Sequence, residues 1–293
     1  MYILRGDSVK KRPIQHKMLI LVTVFIICII CFCVWQNNSI VITKSDYSNV
    51  KIPSDFNDCT IVHISDLHNK KFGENQIKLL NKVQSVSPDI IVITGDLIDR
   101  RKYDLDIAMT FIKGAVDIAP VYYVSGNHEA WSGKFSFIKE SLIDSGVNIL
   151  DNTEFELSKG SSSINILGVR DPGFLTSDYL DGTNTNEMAE KLNQWSIDEN
   201  FKILLSHRPE LFDLYCDNGM DLIFTGHAHG GQFRIPLVGG LIAPDQGLFP
   251  QFTSGSYNKN SSTMFVSRGL GNSIIPIRIF NRPEIIVVTL KHL

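Results

Sequence analysis

The sequence predicts a layered α/β domain behind one N-terminal membrane-spanning helix. Three observations lead there. Five short apolar runs each end in Asp, Asn or His; strand-like and helix-like stretches alternate along the chain; and residues 18–35 are apolar throughout and carry no charge. Buried strands read as near-continuous apolar runs, and their alternation with helices builds sheets covered by helices. The chain has 293 residues, 43% of them apolar, enough for one large domain or two small ones. A formal net charge of -3 gives no global basic signal for nucleic acid, and none is expected as a partner.

The apolar run comes first. At 1.5 Å per residue, residues 18–35 reach about 27 Å, just enough for a hydrocarbon core of about 30 Å. A secretory apolar region is usually shorter and precedes small residues; here Gln36-Asn37-Asn38 follows, so no cleavage is expected. A buried core helix would be expected to keep a polar face, and this run has none. Arg5, Lys10, Lys11, Arg12 and Lys17 precede the run and Lys44 is the first base after it. The positive-inside rule therefore puts the N-terminus in the cytoplasm and the rest of the chain outside the cell membrane. The expected division is a basic cytoplasmic tail (1–17), a single-pass span (18–35), a short stalk with a leading strand (36–58), and one domain (59–293). Cys28, Cys31 and Cys33 lie inside the run, where thiolate metal ligands would be costly. Cys59 and Cys216 could pair in an oxidising exterior but read better as separate small core residues.

Beyond the stalk, helices are expected over 76–87 (apolar Ile77, Leu80, Val83), 104–119 (Ala108, Phe111, Ile112, Ala115), 136–145, 186–199 and 208–216. Further strands are expected over 164–167, 264–267 and 285–290. Residues 234–255 are punctuated by Pro236, Gly239-Gly240, Pro244 and Pro250, yet carry Leu237, Val238, Leu241, Ile242, Leu248, Phe249 and Phe252. This stretch is either an irregular cover over the core or an apolar lip facing lipid.

The five remaining runs are 61–65, 90–94, 121–125, 203–206 and 222–225. They end in Asp66-Leu67-His68, Gly95-Asp96, Gly126-Asn127-His128, His207 and Gly226-His227-Ala228-His229. Sites in α/β sheets collect beyond the carboxyl ends of strands. Taken singly, Asp, Asn and Gly are ordinary turn formers and a histidine can be a satisfied core residue. Together they bring five of the eight histidines to one rim; His16, His63 and His292 stand apart. Imidazole nitrogen and carboxylate oxygen suit divalent metals of intermediate hardness, and the absence of Cys argues against a structural zinc knot. Asp66, His68, Asp96, Asn127, His207, His227 and His229 are the candidate metal ligands.

These residues, in this order, resemble the pattern of the calcineurin-like metallophosphoesterases: D-x-H, G-D-x-x-D, G-N-H-[DE], a lone H, and G-H-x-H. Here the pieces are Asp66-Leu67-His68, Gly95-Asp96-Leu97-Ile98-Asp99, Gly126-Asn127-His128-Glu129, His207 and Gly226-His227-Ala228-His229. The resemblance spans roughly residues 59 to 290. Gly230-Gly231-Gln232, Ser267-Arg268-Gly269-Leu270-Gly271 and Pro276-Ile277-Arg278, with the N-terminal run, look like the bacterial transmembrane subgroup related to UDP-diacylglucosamine pyrophosphohydrolases. The family implies a four-layer α/β/β/α sandwich of two mixed sheets. It implies that Asp66, His68 and His229 hold one metal, that Asn127, His207 and His227 hold the other, and that Asp96 bridges. Asp99 would be a supporting acid.

The expected activity is hydrolysis of a phosphodiester or pyrophosphate bond by metal-activated water, with His128 protonating the leaving oxygen. Two divalent ions are expected, manganese first, with zinc or iron as alternatives. The membrane run favours a lipid-linked or envelope substrate. An outward domain fits a phospholipid or wall-polymer diester better than a cytoplasmic nucleotide-linked lipid. Arg170 and Arg268 are candidate contacts for a phosphate, or else structural arginines. A monoesterase, a phosphoprotein phosphatase, a nuclease and a non-catalytic scaffold are the alternatives.

Overall fold

The computed structural model describes residues 12–176, 183–272 and 276–293; Arg5, Lys10 and Lys11 of the basic tail lie outside them. The chain enters through α1 (Arg12–Asn38), long and apolar enough to cross a membrane, with none of its apolar window buried in the protein. Next come β1 (Val41–Asn49), β2 (Thr60–Ile64), α2 (Ile77–Gln84), β3 (Ile90–Thr94), α3 (Leu105–Val116) and β4 (Val121–Val124). After them follow α4 (Asn127–Ala130), α5 (Phe135–Asp144), β5 (Asn148–Ile149), β6 (Thr153–Lys159), β7 (Ser162–Gly168) and α6 (Asn186–Trp195). Then come β8 (Lys202–Leu205), α7 (Phe212–Asp217) and β9 (Leu222–Thr225). Two short hairpins, β10 (Arg234–Ile235) with β11 (Gly239–Gly240) and β12 (Ile242–Ala243) with β13 (Gly247–Leu248), precede β14 (Gly255–Lys259), β15 (Ser262–Val266) and β16 (Glu284–His292).

Two mixed six-stranded sheets form, in the orders β1-β16-β2-β3-β4-β5 and β14-β15-β9-β8-β7-β6. Strand alternation sorts the apolar runs into layers. Val62, Ile91, Ile93 and Tyr123 face outward against Leu79 and Val83 of α2, Phe111 and Ile112 of α3, and Leu142 of α5. Ile61, Val92, Tyr122 and Val124 face inward and meet Ile203, Leu205, Leu222 and Phe224 of the second sheet. Leu204 and Ile223 face the far side, against α6 and α7 through Met188, Leu192, Phe212 and Tyr215. The layers run α/β/β/α, as the family resemblance implies. Sheets buried on both faces explain why the runs are apolar throughout. His63 lies in the middle layer, with Nε2 2.8 Å from Thr94 Oγ1 and its ring on Phe224. Burial lowers its pKa to about 3, so it packs as a neutral ring.

The leading strand expected within 36–58 is present as β1, and the residues after it join the domain instead of forming a stalk. β1 pairs in parallel with β16 along nine residues, and Ile40, Tyr47, Ile52 and Phe56 are core residues. The polar residues that suggested a stalk lie on the exposed side of an edge strand. The apolar face expected for residues 76–87 is also shifted. Left-handed Asn75 and Gln76 delay the helix, so Ile77 opens it half exposed while Leu79 and Val83 are buried. The exposed edge strands β6 and β14 had no apolar run to announce them. Cys59 and Cys216 are unpaired and lie in different core layers.

If residues 41–58 belong to the core, Phe56→Ala should destabilise the domain by about 3–5 kcal/mol, the usual cost of emptying a buried aromatic site. Urea unfolding measures it. A change under about 0.5 kcal/mol would return this segment to the status of a stalk.

Candidate metal centre

The carboxyl ends of β2, β3, β4, β8 and β9 converge on one rim. All seven candidate ligands meet there, each at most 6% exposed. Donor atoms of Asp66, His68, Asp96 and His229 form one group, and those of Asp96, His207 and His227 form a second; within each group all lie within 4.8 Å of one another. Asp96 is common to both. His68 Nε2 faces His229 Nε2 at 3.1 Å, and His227 Nδ1 faces His207 Nε2 at 3.1 Å. Asn127 Oδ1 is 3.1 Å from His207 Nε2, which brings it to the second group. Facing imidazole nitrogens with carboxylates between them fit a pair of divalent cations, and the purely nitrogen and oxygen donors suit ions of intermediate hardness.

Tight turns aim these side chains. Asp66, His68, Asp96, His227 and His229 all adopt positive φ, between 45 and 63°. Non-glycine residues rarely do so, and such strain collects at functional sites. The accompanying glycines are required by close approach. A Cβ on Gly126 would stand 2.3 Å from Asp96 Oδ1, and one on Gly226 would stand 1.9 Å from Ser65 Oγ. The glycine before each ligand thus lets one ligand loop lie against another.

Backbone donors then hold the carboxylates. Asp96 Oδ1 accepts the His128 N–H at 2.8 Å, and Asp66 accepts Ser65 Oγ–H at 2.6 Å and the His227 N–H at 3.2 Å. Burial by itself would raise both carboxyls. Asp66 nonetheless sits below the usual carboxylate range beside His229 and His68, and Asp96 does so beside His207 and His128. Burial opposes charge on His207 too, yet Asp96 and Asp66 push it up to about 10. Metal binding displaces such protons.

Outer contacts decide which ring nitrogen faces inward. His207 Nδ1–H donates to Thr94 O at 2.7 Å, leaving Nε2 for the centre. His227 is turned the other way: its Nε2 is 2.9 Å from Asp245 Oδ2, so its Nδ1 faces inward. Arg208, itself buried, reaches Asp245 at 2.5 Å and is clamped by Asp171 through Nε at 2.6 Å and Nη2 at 3.0 Å. A carboxylate behind a ligand histidine sets its tautomer and orientation. His128 Nδ1 is 3.2 Å from Arg100 N and 3.5 Å from Asp99 Oδ1, and its ring lies edge-on to His68 at 4.4 Å.

Several of these residues have no role in the sequence reading. Glu129 is in the sequence only one letter of a motif; its carboxylate accepts the N–H groups of Asp96, Gly126 and Ile98, and burial with Asp96 alongside raises its pKa to about 7. Arg208 directly follows His207, which was its only signal. Asp171 and Asp245 lie far from it in sequence and had none. The two arginines singled out as phosphate contacts are engaged elsewhere: Arg170 with Glu187 at 2.6 Å and Arg268 with Glu284 at 2.8 Å. Their reading as structural arginines is the one that fits.

A four-layer α/β/β/α sandwich with a buried, carboxylate-sharing histidine cluster at its strand ends is the architecture of a metal-dependent hydrolase. Comparison with known proteins specifies the family. The description calcineurin-like phosphoesterase matches residues 59–231, more than half of the chain. The chain belongs to the calcineurin-like phosphoesterases and is a metal-dependent phosphoester hydrolase. It is 31% identical to an uncharacterized metallophosphoesterase of Campylobacter jejuni over 87% of this chain and 65% of that one. It is 28% identical to a transmembrane protein with metallophosphoesterase domain from Danio rerio, over 83% of this chain and 55% of that one. It is 25% identical to phosphodiesterase YaeI of Escherichia coli, over 78% of this chain and 81% of that one. The chain thus spans less than two thirds of the length of the first two.

Asp245→Asn should weaken metal binding about 10–100-fold, the usual cost of losing a carboxylate behind a ligand. Metal titration of the stripped protein measures it. Unchanged affinity for both ions would mean that Asp245 does not hold His227.

Proposed function

We propose that this chain is a membrane-anchored phosphodiesterase with two divalent metals, acting on a phosphodiester or pyrophosphate bond of a lipid-linked or envelope substrate. The observation that carries the reading is the sharing of Asp96 between two donor groups. Asp66, His68 and His229 would hold one ion, Asn127, His207 and His227 the other, and Asp96 would serve both; manganese is the first choice. The chemistry that such a pair supplies when bound is activation of a water and neutralisation of charge on the phosphoryl oxygens. The protein's own residues do the rest. Turns with positive φ hold the donors in place before substrate arrives, which spares reorganisation during reaction. His128 accepts the Arg100 N–H at Nδ1, so its proton sits on Nε2, from which it would pass to the leaving oxygen.

The kinship with a phosphodiesterase supports the diester assignment, and the kinship with a transmembrane relative supports the anchor. In this reading α1 spans the cell membrane once with the N-terminus in the cytoplasm, and the domain lies outside.

The test compares hydrolysis of a chromogenic phosphodiester and the matching monoester by the metal-stripped, manganese-refilled protein, with Asp96→Asn as the inactive control. Faster cleavage of the monoester would replace the diesterase by a phosphomonoesterase. His128→Ala should lower kcat by about 100-fold or more and leave two metals bound. Parallel loss of metal would remove His128 from proton transfer and make it part of the metal cage.

A further inference from the structure

The exposed apolar surface gathers beside the end of α1. The hairpin of β10 and β11 carries Ile235, Leu237 and Val238 at its tip, and Leu237 is fully exposed at 108%. A groove of about 380 Å³ lies between this hairpin and Phe280, which is half exposed. The next loop adds Leu248 and Phe249, also exposed. A soluble surface rarely carries so many large apolar side chains together.

What covers them is indicated by Phe280. Its ring packs edge-on against Phe32 of α1, centroids 5.5 Å apart. Phe32 lies three residues inside the end of the apolar run at Trp35, about 4.5 Å along the helix axis. At Trp35 the surroundings turn polar. The Arg282 guanidinium sits 4.8 Å from the Trp35 ring and donates to Ser39, and Lys70 donates to Asn37 O. Tryptophan with cationic side chains marks the interfacial belt of a membrane span. With α1 in a bilayer, Phe280 would lie on the hydrocarbon side of that belt.

The hairpin is tied to this level. Arg234 N–H donates to Ile279 O at 3.0 Å, and Phe233 bridges to Ile279. It is tied equally to the metal centre. Asn281 Nδ2 donates to His229 O at 2.7 Å and to Gln232 O at 3.0 Å, and Leu241 N–H donates to Gly231 O at 3.0 Å. The turn that presents His229 continues directly into the apolar hairpin.

We propose that Ile235, Leu237, Val238 and Phe280, with Leu248 and Phe249, form a lip that enters the outer surface of the same bilayer that α1 spans. The proposal rests on the anchoring part of the reading above and gives the domain a second membrane contact. Surface-seated apolar groups enter about 5–10 Å. A single helix leaves a domain free to rotate and tilt, and a second contact fixes its orientation. The His229 side of the metal centre is then held at the headgroup layer, where the phosphate of a bilayer-resident amphiphile lies.

The test uses the full chain with Cys28, Cys31 and Cys33 replaced by Ala, in vesicles of phosphatidylethanolamine and phosphatidylglycerol. An environment-sensitive fluorophore is attached at Leu237→Cys or, as control, at Glu156→Cys on the exposed edge strand β6. The label on Leu237→Cys should emit as in an apolar medium and be quenched several-fold more by nitroxide-bearing lipids than the control. Water-like emission on vesicle-bound protein overturns the lip and leaves the anchor standing. Apolar emission that nitroxide lipids do not quench assigns the surface to a second copy of the chain and also overturns it. Protein that fails to float with the vesicles overturns the anchor as well. None of these readouts requires turnover, so they separate the lip from the proposed activity.

Discussion

Asp96 places one carboxylate between two sets of imidazoles inside the protein, and an interior tolerates such a group only when charge and hydrogen bonds are compensated. Much of the rim is arranged to that end. The His128 N–H points at one oxygen, the histidines of both groups face the other, and Glu129 takes the N–H groups on either side of the loop. The loop can approach because Gly126 has no side chain. These contacts link the ends of β2, β3, β4, β8 and β9, so the two sheets meet at this rim through polar bonds as well as through their apolar middle layer. The centre is thus also a structural joint. A change at one ligand loop is transmitted to the others through backbone contacts that have no room to slip.

Behind the ligands stands a second set of charges. Buried Asp171 and Arg208 connect through the more open Asp245 to His227, while Asp99 and Arg101 stand behind His128. Buried ion pairs add little net stability, because desolvation consumes much of the attraction. Their value here is orientation. Arg208 presents a planar fork that meets Asp171 through two nitrogens, which a lysine could not do. His227 is thereby presented through Nδ1, while its neighbour His207, held by Thr94 O, presents Nε2.

The junction between helix and domain follows the same economy. α1 does not hang from a tether. Asn37 accepts from Asn272, Arg278 and Lys70, and β1 joins the sheet beside β16 within three residues of the helix end. Arg278, buried by carbonyl acceptors from Gly271, Arg268 and Asn281, links this junction to the Gly271 turn, whose N–H donates to Asp66 O. The helix end and the Asp66 loop are thus one packed unit.

The sequence alone determined the parts with strong local signatures. Buried strands are apolar on both faces, so 61–65, 90–94, 121–125, 203–206 and 222–225 could be read as strands without partners being known. The polar residues that end them are those that converge at the rim, because a strand's carboxyl end projects its next residues beyond the sheet. Edge strands lack that signature: β6 and β14 expose polar residues along their length, and only the apolar start of β1 reads as a strand. Only the tertiary structure decided which charges stand behind the ligands. Asp171, Arg208 and Asp245 are brought together by separate loops, and no local spacing records that. It also decided that Arg170 and Arg268 are engaged in ion pairs and that the 234–239 hairpin shares a groove with Phe280, whose ring meets Phe32. Pairings between distant segments depend on how whole layers pack, and a linear pattern carries the propensity of each segment but not its neighbour.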